Sequence, residues 1–276
     1  MINTKKMDDL LSNTGDMCLK RRAREIIIAL SPKKDDIVLD AGCGDGFYLH
    51  LLSELTGAQL VGLDDNPKAL KLARSYVRSK KLKLIEGDVM RMPFEKNKFD
   101  KIICSEVLEH LPDDVSGLKE FKRVSKKGGI LTITVPSANY PFLWDPVSFV
   151  LEKFFKTHIK EGFWAGVWNQ HIRLYTPDSL VRTVEKSGLK VEKIKVLTHY
   201  GLPFNHFLLN IGYRIRRSKT VPGNITKSLS KFSTDRWNSR DLYHMLLEIV
   251  KLIDRLNDKE FSLDAPTVGI FLVAKK

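Results

Sequence analysis

Cysteine is scarce: there are three among 276 residues, and no two are spaced as CxxC. That excludes a disulfide scaffold and a thiolate zinc site, and it fits a reducing compartment. Long apolar runs are missing as well; the longest unbroken ones resemble the five residues Ile26–Leu30. Neither a membrane-spanning helix nor a secretory signal core is therefore expected, and the expected location is cytoplasmic. Repeats and low-complexity tracts are absent, and 43% hydrophobic with 29% charged residues excludes wholesale disorder. Acidic residues are missing from one long stretch, Lys193 to Thr234, which holds eight Lys/Arg. The excess of base is uneven: residues 1–135 carry 24 Lys/Arg and 20 Asp/Glu, whereas residues 136–276 carry 22 and 13, within a total of +13. Such a surface favours anionic partners, namely nucleic acid, acidic lipid headgroups or a phosphorylated substrate, unless the charge serves only solvation.

The first half alternates strand and helix patterns. Met17–Leu30 reads as an amphipathic helix, Ile37–Asp40 as a strand ended by AGCGDG, and Phe47–Leu55 as a helix stopped by Gly57. Gln59–Leu63 is a second strand; Asn66 and Pro67 then cap a helix reaching about Lys80. Leu82–Ile85, Lys101–Cys104 and Ile130–Val135 are strands three to five, with a helix over Val115–Val124 that Gly128-Gly129 ends. Strands separated by helices imply a parallel sheet covered on both faces. After Pro136 the pattern changes. Residues 139–168 hold three of the four tryptophans and several phenylalanines, Thr176-Pro177 opens a helix ending at Gly188, and Leu189–Leu197 and Thr267–Ala274 read as the last two strands. The expected organisation is a single domain over 1–276, with an aromatic lid insertion at 139–175 and a helical insertion at 201–264 between the last two strands.

The turn Asp40-Ala41-Gly42-Cys43-Gly44-Asp45-Gly46 carries the strongest signal. Glycines between strand one and a helix let a ligand approach the backbone. Twenty residues beyond Gly44, strand two ends at Asp64, where a carboxylate can accept bonds from both ribose hydroxyls of a nucleoside. A dinucleotide fingerprint would need a third glycine at Phe47; this chain has GxGxG, with an aspartate closing the strand. In these residues the sequence resembles the class I S-adenosylmethionine-dependent methyltransferases. Further signatures follow in order: Glu86-Gly87-Asp88-Val89 after strand three, Cys104-Ser105-Glu106-Val107-Leu108-Glu109-His110-Leu111 after strand four, and Lys126-Lys127-Gly128-Gly129 before strand five. The resemblance covers roughly residues 17–200 and the last strand. It implies a doubly wound, mostly parallel seven-stranded α/β sheet whose last strand is antiparallel.

The resemblance also implies a site. S-Adenosylmethionine would lie against Asp40, Gly42, Cys43, Gly44, Gly46, Asp64, Asp65, Asp88, Val89 and Ser105, with Asp64 on the ribose and Asp88 on the adenine amino group; the product would be S-adenosylhomocysteine. Glu109-His110 is similar to a pair in plant alkaloid N-methyltransferases, cyclopropane fatty-acid synthases and quinone-pathway enzymes, and both residues are catalytic candidates. His110 suits proton transfer by its ordinary pKa, and it equally suits a structural place beneath the cofactor. The segment from Asn169 to Tyr175 resembles one that lines acceptor pockets, and it equally reads as a structural loop anchor; alternation would point His171, Arg173 and Tyr175 the same way. Cys104 lacks the Pro-Cys context of covalent base methylation and reads as a buried structural cysteine. No metal-ligand set is expected.

For the acceptor, the aromatic insertion, with Trp144 and Trp168, suits a lid over a small apolar, aromatic or lipid-like molecule better than it suits an exposed connection. O-, C- and N-methylation all remain open, as does the oligomeric state. A small hydrophobic subcore is the plainer reading of the same residues. Nucleic acid is disfavoured as a partner, since strand four lacks an (N/D/S)PP(Y/F) signature and no RNA-binding module is recognisable. An inactive cofactor-binding interaction protein is a third reading. Two apolar faces in the helical insertion, Phe204, Phe207, Leu208, Ile211 and Ile215, and Leu242, Leu246, Ile249 and Ile253, with Arg214, Arg216, Arg217 and Lys219 after the first, suggest reversible contact with an anionic membrane, or packing of the two helices on each other.

Overall fold

The computed structural model describes residues 2–12, 14–202, 204, 231–232 and 242–276. Its strands are β1 (Ile37–Ala41), β2 (Gln59–Asp64), β3 (Leu82–Glu86), β4 (Phe99–Ser105), β5 (Ser125–Pro136), β6 (Lys190–Leu197) and β7 (Gly269–Lys275). Between and around them run α1 (Thr4–Leu10), α2 (Met17–Leu30), α3 (Phe47–Leu55), α4 (Pro67–Tyr76), α5 (Asp114–Val124), α6 (Pro146–Phe155), α7 (Pro177–Lys186) and α8 (Leu242–Arg255). The sheet order is β3-β2-β1-β4-β5-β7-β6. β7 runs antiparallel to both β5 and β6, and the other pairs are parallel. The expected sheet, with one reversed strand at the end of the chain, is the sheet observed.

Two apolar layers flank it, as a sheet buried on both faces requires. One joins Leu39, Ile102, Leu131 and Ile133 to Leu118 and Phe121 of α5 and Leu180 and Val184 of α7. The other joins Val38, Ile103 and Phe271 to α1, α2 and α3 through Met7, Ile26, Ile27 and Leu49. Crossovers leave β1 and β4 in opposite directions, so the crevice at their carboxyl ends is where a doubly wound sheet admits a ligand.

Several boundaries differ from the sequence reading, for local reasons. α4 stops at Tyr76 because Val77 turns extended and is buried beside the glycine turn. β5 begins at Ser125, since Phe99 pairs with it and a register shift before Lys101 absorbs Gly128, whose φ is +75°. α1 and α6 were not anticipated. The expected helix after Phe204, with its arginines, lies outside the described residues; the second lies within α8, where Ile253 packs near Met17, Cys18 and Trp144. Among the described residues no helix is long and apolar enough to cross a membrane.

Candidate functional site

The turn after β1 is built by main-chain bonds. The Gly42 and Cys43 N–H groups both donate to the Leu63 carbonyl at the end of β2, drawing the two strand ends together. Gly44 has φ +51°, and a Cβ added there would meet nothing within 4 Å, so its open side is available to a ligand. Gly46 has φ +82°, and a Cβ there would come within 2.9 Å of Ala73 on α4. Only glycine meets both demands at Gly46, a left-handed backbone and close helix contact.

The carboxylates around this turn have different surroundings. One Asp64 oxygen accepts from Gly44 N–H at 2.7 Å and the other from Asn66 N–H at 2.9 Å. The cap of α4 is Asn66, which accepts from Lys68 and Ala69, so Asp64 is not consumed as a helix cap. Asp65 is exposed, and Asp88 caps the turn Val89–Arg91 with one oxygen while remaining exposed. Asp40, at the end of β1, is 1% exposed, and its Oδ2 has no hydrogen-bond partner among the described residues. Burial, reinforced by Asp64 and Asp45, pushes its pKa up to about 8. A buried carboxylate without a partner is costly, and a cationic ligand group would relieve it. Orphaned Asp40, open Gly44 and anchored Asp64 fit the ammonium, the glycine turn contact and the ribose of S-adenosylmethionine.

A polar network borders this crevice, and it ties the expected Ser105 to residues that sequence reasoning missed, Tyr48, Thr134 and Arg22. Ser105 exchanges hydrogen bonds with Tyr48 at 2.9 Å and Thr134 at 2.8 Å. Thr134 donates to Glu106, which pairs with Arg22 of α2 at 2.6 Å. Burial is the largest single influence and opposes the Arg22 charge, but Glu106, Tyr48, Asp16 and Cys18 together outweigh it and raise its pKa. Lys231 pairs with Asp45 at 2.8 Å, and Phe232 stacks on Tyr76 with centroids 4.0 Å apart. No local pattern flags Arg22 or Lys231; each reaches the crevice from a distant part of the chain. Cys104 is fully buried, and burial pushes its thiol far up, as a structural cysteine requires.

On the β4 side, the turn Leu108–His110 carries Glu109 and His110. Glu109 is 0% exposed with neither carboxylate oxygen hydrogen-bonded among the described residues, and burial, then Glu106, raises its pKa strongly. His110 Nδ1 lies 3.0 Å from the Gln170 carbonyl, and its ring meets His171 edge-on at 4.8 Å. The residues before α7 clamp this turn. Ile172 N–H donates to the Glu109 carbonyl, Arg173 donates to the carbonyls of Leu111 at 2.6 Å and Pro112 at 2.9 Å, and buried Tyr175 donates to Asp114 at 2.7 Å. His171, Arg173 and Tyr175 thus meet one segment, 108–114, as their alternation implied. The polar atoms of Arg173 and Tyr175 are spent on that segment, so their observed contacts are those of loop anchors. The sequence reading had left acceptor lining and loop anchoring both open for this segment.

The aromatic insertion has its own interior. Asp145, fully buried, caps α6 through Ser148 and accepts from Val167 N–H at 2.7 Å. Trp168 donates to Glu152, which also accepts from Tyr140, and stacks on His158. Trp144 is buried against Met17 and Cys18. Trp144 and Trp168 are therefore not brought to one spot: the first joins the insertion to α2, and the second closes its interior.

A family model described as "Methyltransferase domain" matches residues 32–195, more than half of the chain. A sterol 24-C-methyltransferase of Pneumocystis carinii is 38% identical over 116 residues, covering 41% of this chain and 31% of that protein. A demethylmenaquinone methyltransferase of Staphylococcus carnosus is 26% identical over 207 residues, covering 71% of this chain and 84% of that one. The chain matches less than a third of the length of the sterol relative. Among solved structures, a Bacillus halodurans C-125 protein described as a methyltransferase aligns at TM-score 0.58 and 19% identity, covering 93% of this chain and 99% of that one. The [4+2]-cyclase SpnF aligns at 0.56 and 14%, covering 93% and 84%. At these identities the likeness establishes the fold alone, and the cyclase shows that this fold is not confined to methyl transfer.

Proposed function

The chain belongs to the methyltransferase-domain family, and on that premise we propose that it is an S-adenosylmethionine-dependent methyltransferase whose acceptor is a small apolar, aromatic or lipid-like molecule. The observation that carries the reading is the buried Asp40, whose Oδ2 has no hydrogen-bond partner among the described residues, beside the open Gly44 turn and the anchored Asp64. When bound, S-adenosylmethionine supplies an electrophilic methyl group on a sulfonium sulfur. Asp64 takes the ribose hydroxyls on its remaining lone pairs, Asp88 and Val89 take the adenine edge, and Asp40 faces the cationic end. Glu109 and His110 meet the reacting group of the acceptor at the end of β4, with His171 from the insertion beside them. Methyl transfer needs nucleophile, carbon and sulfur in line and water kept out, so positioning is the main task of these residues. Relatives named for a sterol and a demethylmenaquinone support an apolar acceptor. The test is transfer of label from the cofactor to a lipid and quinone extract, to unmodified RNA, or to neither, with mass spectrometry of the methylated species. Label confined to RNA would overturn the acceptor class.

Collection of such an acceptor calls for contact with an anionic bilayer, and the insertion offers a surface for it. On α6, Phe154 and Phe155 are 70% and 68% exposed, and Trp164 follows at 57%. Exposed Lys153, Lys156 and Lys160 flank them. Apolar rings bordered by lysines match the interface of an acidic membrane. Arg214, Arg216, Arg217 and Lys219, first considered for this contact, lie outside the described residues.

A further inference from the structure

We propose that Glu109, His110 and His171 bind one divalent transition-metal ion, leaving coordination positions open on the acceptor side. Each offers a ligand atom, and these atoms all lie within 4.8 Å of one another. Two imidazoles and one carboxylate form a set that suits zinc or its first-row neighbours better than magnesium, which prefers oxygen.

Three further observations point to an ion. Glu109 is fully buried, with both oxygens lacking a hydrogen-bond partner among the described residues, an arrangement that asks for a cation. Its approach to His110 Nε2 is 3.9 Å, too long for a hydrogen bond between them. Two atoms sharing a tetrahedral ion at bonds of about 2.0 Å stand about 3.3 Å apart, so a small contraction of the cluster completes the site. Finally, His110 Nδ1 donates to the Gln170 carbonyl at 3.0 Å in the tautomer that turns the Nε2 lone pair toward Glu109. A ligating histidine is commonly held through its second nitrogen in this way.

The scaffold is rigid where it must be. Glu109 and His110 share one turn after β4, and His171 arrives from the loop before α7. The Ile172–Glu109 main-chain bond and the three-carbonyl grip of Arg173 on Leu108, Leu111 and Pro112 fix the distance between the two loops. Glu106, though close in sequence, is taken by Arg22 and Thr134 and is not a ligand. Binding of the ion stands apart from any activity. Its task rests on the methyltransferase reading: as a Lewis acid beside the acceptor, it favours the anionic form of a hydroxyl oxygen, whose proton leaves to solvent before the oxygen is methylated.

The test uses the whole chain, stripped with a chelator, dialysed and titrated with cobalt(II), then with zinc(II) in competition. The expected result is one cobalt per chain in the micromolar range or tighter, visible absorption bands of a nitrogen- and oxygen-ligated ion, and their loss on adding zinc. Glu109→Gln and His171→Ala should each weaken binding about tenfold to a hundredfold. S-Adenosylmethionine calorimetry on the same variants reports whether each is folded. Should the buried Glu109→Gln variant fail to fold, the half-buried His171→Ala variant decides. Absence of saturable cobalt binding by the folded wild-type chain, or unchanged affinity in folded His171→Ala, overturns the proposal. Cobalt bound at these residues in a chain that methylates nothing would uphold the metal site and remove the methyltransferase reading.

Discussion

The two sides of the β1–β4 crevice are built differently. The β1–β2 side presents main chain: the turn Gly42 to Gly46, tied to Leu63, with Asp64 held by two N–H groups. The β4 side presents side chains gathered from afar; His110 is held by Gln170, 60 residues on. A backbone-built site tolerates little variation in residue type: at Gly42 and Gly46 a positive φ coincides with a side chain so close that a Cβ would clash. A side-chain-built site can be assembled from any two loops that a third contact ties together. On the proposed reading, the cofactor side rests on backbone geometry and the acceptor side on side chains that two loops bring together.

Breaking each side separately sharpens the contrast. His110→Ala should lower turnover by about 10²–10⁴ while leaving cofactor affinity nearly unchanged, as measured by steady-state rates beside calorimetry. A parallel loss of cofactor binding would place His110 on the wrong side of the crevice. Asp64→Ala should weaken S-adenosylmethionine binding at least about tenfold, through loss of charge-assisted bonds worth about 1.5–3 kcal/mol each. Unchanged affinity would remove Asp64 from the site.

Asp40 gives the comparison a pH axis. In the free protein its pKa is raised to about 8 from an ordinary 3.8. The folded state then holds a proton that the unfolded state has lost, so this group's contribution to stability falls as pH rises from about 4 to about 8. Asp40→Asn, which cannot ionise, should raise the melting temperature at pH 8 by on the order of 5 °C and by much less at pH 5, while weakening cofactor binding. An equal change at both pH values would mean that Asp40 ionises normally. Smaller effects are expected in the insertion. Hydrogen exchange over residues 139–168 should slow when product cofactor and acceptor bind, against no change if the Asp145–Glu152 interior is already static. Vesicle co-sedimentation should require anionic lipid, weaken with salt and drop in a Phe154→Ala, Phe155→Ala double variant; equal partitioning with neutral vesicles would leave the rings without that role.

Much of this molecule was legible without coordinates. The alternation of apolar runs and capped helices set out the sheet, because a parallel strand must be buried on both faces and a glycine turn must follow it. GxGxG with Asp64 twenty residues on anticipated the turn in which Gly44 meets Asp64, the side proposed for the cofactor, because strand ends and backbone contacts are local features of a chain. Tertiary structure alone decided the rest. It gave Arg173 and Tyr175 the contacts of loop anchors, since their polar groups meet carbonyls and a carboxylate near 108–114. It brought Arg22 from α2 and Lys231 from beyond β6 to acids at the crevice. It set His171 beside Glu109 and His110. The physical reason is common to all three: hydrogen bonds and ligand sets act over a few ångströms of space, whereas sequence periodicity reports only which face of an element is buried.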